Sequence, residues 1–212
     1  MSASPGDATE ARHGDAAEAP RSFNDRVLEI ARAYPNGGGY AWPAPRGTHG
    51  TTRDLLVDGE RIARASPNGT HCSGLTFEVF WRALGELPGG PEGAGLDVDR
   101  ATRLRRSWFV PEARGQGPAE ALPAFGLGVR ILDLEDARPG DFLQVWMNNG
   151  RGHTAIFLDW IRDESGHIVG SRHWSTHPVT GGIGIEERAI GNGPRDIDPD
   201  AIYIARATPA AP

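Results

Sequence analysis

From Cys72 to Leu84 the chain reads Cys-Ser-Gly-Leu-Thr-Phe-Glu-Val-Phe-Trp-Arg-Ala-Leu, with apolar residues on almost every side of the helix this spacing predicts. A helix that is apolar nearly all round has no face to give to water, so it must be central, with the rest of the fold wrapped around it. Its first residue is the only cysteine among 212 residues. A thiol at a helix N-terminus faces unpaired backbone N–H groups and the positive end of the helix dipole, and both favour the thiolate, the nucleophilic form. A buried structural cysteine is the plainer reading of the same position.

Around this helix the chain changes character once. Residues 1–21 hold little to bury and are expected to be a disordered tail. Ser22, with Asp25 three residues on, reads as a capped helix start; Phe23, Val27, Ile30, Ala31 and Tyr34 share one face, and Pro35 with Gly37–Gly39 ends the helix. Leu55–Ile62 fits either a short hairpin or a helix with a turn. Pro88–Gly95, rich in Gly and Pro, reads as loop. Asp97–Trp108 has helical spacing with Arg100, Arg103, Arg105 and Arg106 on a solvated face, and a short helix or turn is expected near Leu122.

From Gly128 onward short β runs take over, at Val129–Leu132, Phe142–Met147, Thr154–Trp160, Ile168–Ser175, Gly184–Ile190 and Ala201–Ala205. Helices first and a strand meander afterwards is the order of an α+β domain. The expectation is one domain over 22–207, its buried Cys-bearing helix packed on an antiparallel sheet of five to six strands, with a loop-rich insertion near 88–128.

Composition excludes several functions. The net charge of −6, with all 22 basic residues Arg, argues against a nucleic-acid binder. One cysteine rules out an internal disulfide framework and a Cys-based zinc ribbon. The N-terminus lacks the basic start and apolar core of a Sec leader, and no run approaches the ~18–20 apolar residues of a membrane span. A soluble chain without membrane partners is expected, cytoplasmic or exported by a signal-independent route.

A nucleophilic thiol needs a base within hydrogen-bond reach and a polar group to orient that base. Seven histidines are available. His13 lies in the tail and His167 in a hairpin turn. His153 is the strongest candidate, because Gly150-Arg151-Gly152 brings the chain tightly up to the first residue of a hydrophobic strand. On the next strand His173, Ser175 and His177 share parity and so one face. His173 or Ser175 lies deep enough to orient a neighbouring histidine, whereas His177, before Pro178, is assigned to a turn. His71 adjoins the thiol and either helps polarise the site or simply occupies the last position before the helix. Asp141, after Pro139-Gly140, fixes the turn into its strand.

Together these residues resemble the NlpC/P60 family of papain-like cysteine peptidases. The helix start His71-Cys72-Ser73-Gly74-Leu75 matches the family's pattern, with His71 where an aspartate is usual. Gly39-Tyr40-Ala41-Trp42 is similar to the upstream Tyr-x-Trp segment, Pro139-Gly140-Asp141-Phe142 to the Pro-Gly-Asp turn, and His153-Thr154-Ala155-Ile156 to the strand opened by the catalytic histidine. The resemblance implies Cys72 as nucleophile, His153 as base and His173 as orienting residue. It also implies an oxyanion hole that includes the Cys72 N–H, with Tyr40, Trp42, His71, Ser73 and Ser175 as candidate substrate contacts.

The activity implied is hydrolysis of an amide bond in a peptidoglycan stem peptide, with a peptide or peptidoglycan fragment as the partner molecule. The chain is expected to be a monomer without cofactor or metal, and a cognate inhibitor protein is expected if it is a secreted toxin. Two alternatives stay open: a papain-like amidase or acyltransferase for a small metabolite, and a non-enzymatic metal-binding protein using Cys72, His71, His153 and His173.

Overall fold

The computed structural model describes residues 21–110 and 114–209. Residues 1–20 of the expected tail, His13 among them, and the last three residues lie outside the described residues. Ser22 caps helix α1 (Phe23–Arg32) with the full reciprocal box, its side chain accepting from the Asp25 N–H while the Asp25 carboxylate accepts from the Ser22 N–H. Strand β1 (Gly37–Gly38) and a hairpin of β2 (Leu55–Val57) and β3 (Glu60–Ala63) precede helix α2 (Cys72–Gly85). Helices α3 (Gly90–Gly93), α4 (Val98–Trp108) and α5 (Pro118–Ala124) follow, and then strands β4 (Gly128–Ile131), β5 (Phe142–Met147), β6 (Gly152–Arg162), β7 (Ile168–His177), β8 (Gly182–Ala189) and β9 (Ile197–Ala207).

The architecture is α+β: a seven-stranded sheet in the order β1-β8-β7-β6-β5-β9-β4, antiparallel throughout, with β2-β3 as a separate two-stranded sheet. The expected five to six strands become seven because Gly37 and Gly38 pair with Ile183 and Gly182. Two glycines carry no strand propensity, so the pattern hides this edge. The pairing is possible only because Gly182 has no side chain: a Cβ there would run into the Gly37 carbonyl. The 88–128 stretch is also corrected. Its described part is largely helical, Pro88–Gly95 contains α3 rather than loop alone, and Ala101, Leu104, Trp108 and Leu122 join the main core.

Helix α2 is as buried as its sequence demands, with Leu75, Phe77, Val79, Phe80 and Leu84 fully enclosed. Its aromatic side packs on the sheet through Phe80, Trp108 and Phe142, whose rings lie within 4.8–5.9 Å of one another. A second apolar cluster of Leu143, Val145, Phe157, Trp160 and Ile204 includes residues that alternate with those facing α2, which puts it on the other face of the sheet. Among the described residues no helix is long and apolar enough to cross a membrane.

Two buried carboxylates tie the parts together. Glu78, the one acidic residue of α2, accepts from the Tyr34 hydroxyl (2.7 Å), the Thr52 N–H and hydroxyl (2.6 Å each) and Arg53 Nε (3.1 Å), clamping the loop before β2 onto the helix. Asp141 accepts from Arg206 Nε and Nη2, Asn24 Nδ2 and the Arg138 N–H at 2.8–2.9 Å, so the Pro139-Gly140 turn is bound to both α1 and β9. Asp141→Ala strands Arg206 and Asn24 without their acceptor and is expected to destabilise the fold by about 3–5 kcal/mol. Urea unfolding should show this as a lower midpoint at unchanged slope.

Candidate active site

Helix α2 begins where the sheet opens. The register between β6 and β7 runs from Arg162↔Ile168 to Ile156↔Trp174 and stops there, so the Gly152–Ala155 end of β6 is unpaired on that side. The first turn of α2 fills the gap. Thr70, just before the helix, bonds Thr176 of β7 through their hydroxyls at 2.9 Å. On the β6 side, the Thr154 N–H and hydroxyl neighbour the Cys72 sulfur and favour its thiolate form, as does the Ser73 N–H from within the helix. The Thr154 hydroxyl is also bonded to Gln144 Oε1 on β5, at 2.7 Å.

The close approach of the helix start requires glycine at Gly74, where a Cβ would collide with the His49 carbonyl. His71 is the N-cap, its Nδ1 accepting from the Gly74 N–H at 3.2 Å, the service an aspartate gives at such a position. Trp42 and Phe109 stand edge-on to its ring at 5.2 and 5.4 Å. Burial pushes its pKa down to about 4, so it caps as the neutral imidazole.

A cleft of about 620 Å³ opens over the thiol, lined by Cys72, Ser73, His153 and Thr154 together with Tyr40, Trp42, Phe109, Trp146 and Arg151. Cys72 and His153 therefore share one cavity, and Tyr40, Trp42 and Ser73 lie on it as expected. Two expected substrate contacts do not. His71 is enclosed at 2 % exposure by its capping role. Ser175 is buried and donates to the Thr154 carbonyl at 2.7 Å, bracing β7 against β6 behind the site.

His153 pairs with Val145, a residue of the far apolar cluster, so by parity it belongs to the face away from α2. Beside it β6 and β7 part, and His153 also lines the cleft. Behind it lie His173 and His177, with ring centroids 5.5 and 5.4 Å away. His177 is thus more than a turn residue: it ends β7, caps the 3-10 turn Pro178–Thr180 and flanks His153. His173 Nδ1 is 3.0 Å from the Ser171 hydroxyl. Glu186 of β8 stands directly opposite His173 in the ladder.

Burial dominates the electrostatics. It holds the His153 pKa well below the usual value, with the charges of His173, His177 and Arg188 adding to the effect. It lowers His173 to about 3, again helped by Arg188 and His177. The thiol moves the other way. Enclosure of the sulfur raises its pKa, and the hydrogen bonds from Thr154 and Ser73 only partly offset this. The helix-terminus expectation of a favoured thiolate is therefore corrected: the resting pair is a thiol and a neutral imidazole, and no hydrogen bond joins them among the described residues.

Thr154, Gln144, Trp146, Arg151 and Glu186 escaped sequence reasoning. Thr154 directly follows the candidate base, which was a usable signal. Glu186 and Arg188 had a subtler one, because on β8 these charged residues are inward while Ile185, just before them, is 49 % exposed, an inverted alternation. No family model matches the chain, and neither a curated protein nor a solved structure matches it.

The raised thiol pKa makes alkylation of Cys72 by iodoacetamide climb with pH past the ~8.5 midpoint of a free cysteine. Thr154→Val removes one hydrogen bond that favours the thiolate and should move the midpoint further up. A midpoint below neutrality in the wild type would contradict the assignment of burial as the dominant effect.

Proposed function

We propose that the chain is a cysteine amidase or peptidase of the papain-like NlpC/P60 kind, with Cys72 as nucleophile, His153 as general base and acid, and His173 as the residue that orients His153. One observation carries this reading: the lone thiol, at the first turn of a buried helix, shares a cleft with a histidine that is backed by a second buried histidine. A structural cysteine has no need of that company.

The chemistry starts from the neutral pair. A substrate carbonyl seated over the helix start meets the Cys72 N–H, which stabilises the developing oxyanion by about 3–4 kcal/mol. The imidazole of His153 swings over the thiol and takes its proton as the sulfur attacks, so charge separates only in the transition state. The imidazolium then protonates the leaving amine, and water, deprotonated by His153, releases the acid from the thioester. The histidines behind keep the imidazole's position through both steps.

Arg151 is the only Lys, Arg, Asp or Glu among the described residues that line the cleft, and it suits a substrate with a carboxylate near the scissile amide. Tyr40, Trp42, Phe109 and Trp146 supply apolar walls. Both features fit a peptidoglycan stem peptide, taken up by a monomer without cofactor; a cognate inhibitor protein belongs to this reading only if the chain is a secreted toxin. The cleft volume favours a second reading. At about 620 Å³ it matches sites for compact ligands, so an amidase or acyltransferase for a small metabolite is the alternative.

Incubation with stem peptides and mass spectrometry for new free amines tests the first reading. Cys72→Ala and His153→Ala should each lower cleavage by ~10³-fold or more, and His173→Ala by an order of 10²–10⁴. Absence of cleavage by the wild type, with Cys72 still reactive towards small thioesters, would transfer the assignment to the second reading.

A further inference from the structure

Behind the proposed base lies a cluster of buried polar atoms with nothing to bond to. His153 Nε2, His173 Nε2 and Glu186 Oε2 are all sealed from solvent and all without a hydrogen-bond partner. These three side chains bring ligating atoms within 4.8 Å of one another, with His173 Nε2 4.0 Å from Glu186 Oε2. Three stranded groups of this kind around one point are a standing penalty on the fold unless something fills the point.

We infer that His153, His173 and Glu186 form a binding site for a divalent cation of the zinc class, held by two imidazole nitrogens and one carboxylate oxygen. Two histidines and a glutamate are an established type of donor set for such an ion, with a fourth position left for water. Donor atoms around a tetrahedral ion at 2.0–2.2 Å sit about 3.3–3.5 Å apart, so the three must close in by roughly 1 Å.

Their outer contacts are already those of metal ligands. The Ser171 hydroxyl beside His173 Nδ1 can accept its N–H and leave the Nε2 lone pair pointing inward. Arg188 Nη2 is bonded to Glu186 Oε1, which leaves Oε2 as the free oxygen. His177 Nδ1, 3.5 Å from the same Oε2, accepts from the Val179 N–H and so stays outside the ligand set, which leaves the fourth position to water. The positive charge of Arg188 opposes the ion, which suits reversible occupancy better than a permanently resident metal.

Occupancy has a consequence that rests on His153 being the base. A neutral imidazole has one N–H and one lone pair. With the Nε2 lone pair on the ion, the proton must sit on Nδ1, and a ring in that tautomer cannot accept the thiol proton. The cation is therefore an off switch, and removing it restores the base.

The test uses the full chain, stripped with chelator and titrated with Zn²⁺ against a chromogenic metal indicator. The wild type should bind a single equivalent and melt at higher temperature with Zn²⁺ present, and Co²⁺ in its place should give the visible absorption of a low-symmetry site. Glu186→Gln and His173→Asn should each bind roughly tenfold more weakly or worse, whereas Cys72→Ser should bind as the wild type does. No binding by the wild type, or binding lost in Cys72→Ser but kept in both ligand variants, would overturn the site. If either ligand variant fails to fold, the wild-type melting shift and the Co²⁺ spectrum decide. With stem peptide as substrate, saturating Zn²⁺ should abolish cleavage and excess chelator restore it. Cleavage that survives a bound equivalent overturns the switch, and a wild type that binds Zn²⁺ but never cleaves overturns the hydrolase reading while leaving the site standing.

Discussion

The first turn of α2 occupies the gap where β6 and β7 part, and the rest of the site depends on that insertion. The same event brings a thiol against Thr154, next to His153, and sets the Tyr40–Trp42 segment beside the helix start through its bond to Thr70. A helix can enter so closely only if its first turn is slim, hence Gly74, and only if its cap is internal, hence His71. The clamp at Glu78 fixes the Thr52–Arg53 loop to the same helix.

The sheet serves two purposes on its two faces. Towards α2 it is an apolar floor of Phe142, Ile156 and Trp174. On the other face, an apolar cluster adjoins a polar patch made of His153, His173, Ser171, Glu186 and Arg188. Buried polar groups in a low-dielectric setting stabilise strongly when satisfied and destabilise strongly when not. In that patch His153 Nε2, His173 Nε2 and Glu186 Oε2 lack partners, and it lies directly behind the residue assigned to proton transfer.

Much of this was legible in the chain. The capping box at Ser22 and Asp25, the buried helix from Cys72, the strand limits of β5 and the Pro-Gly-Asp turn all follow from local rules of periodicity and capping, and each is found where those rules put it. Shared parity put His173 in reach of His153, whereas His177, assigned to a turn, proved to flank His153 as well. What stayed hidden depended on partners distant in sequence: the glycine strand β1 exists only because β8 offers an edge, and α3 lies in a stretch that composition marks as loop. His71 and Ser175 looked like site residues because they adjoin or share a face with one, yet packing turned both into braces.

The sequence by itself determined that a lone cysteine would open a buried helix and that histidine-bearing strands would follow it in an α+β order, because amphipathic period and turn chemistry are local properties. Only the tertiary structure decided the charge state at the site. A helix terminus alone favours a thiolate, but packing of the first turn of α2 against β6 desolvates the sulfur, and this outweighs the hydrogen bonds that favour the thiolate. Tertiary packing also brought Glu186 opposite His173, since strand register is set by the whole sheet and by no residue's immediate neighbours.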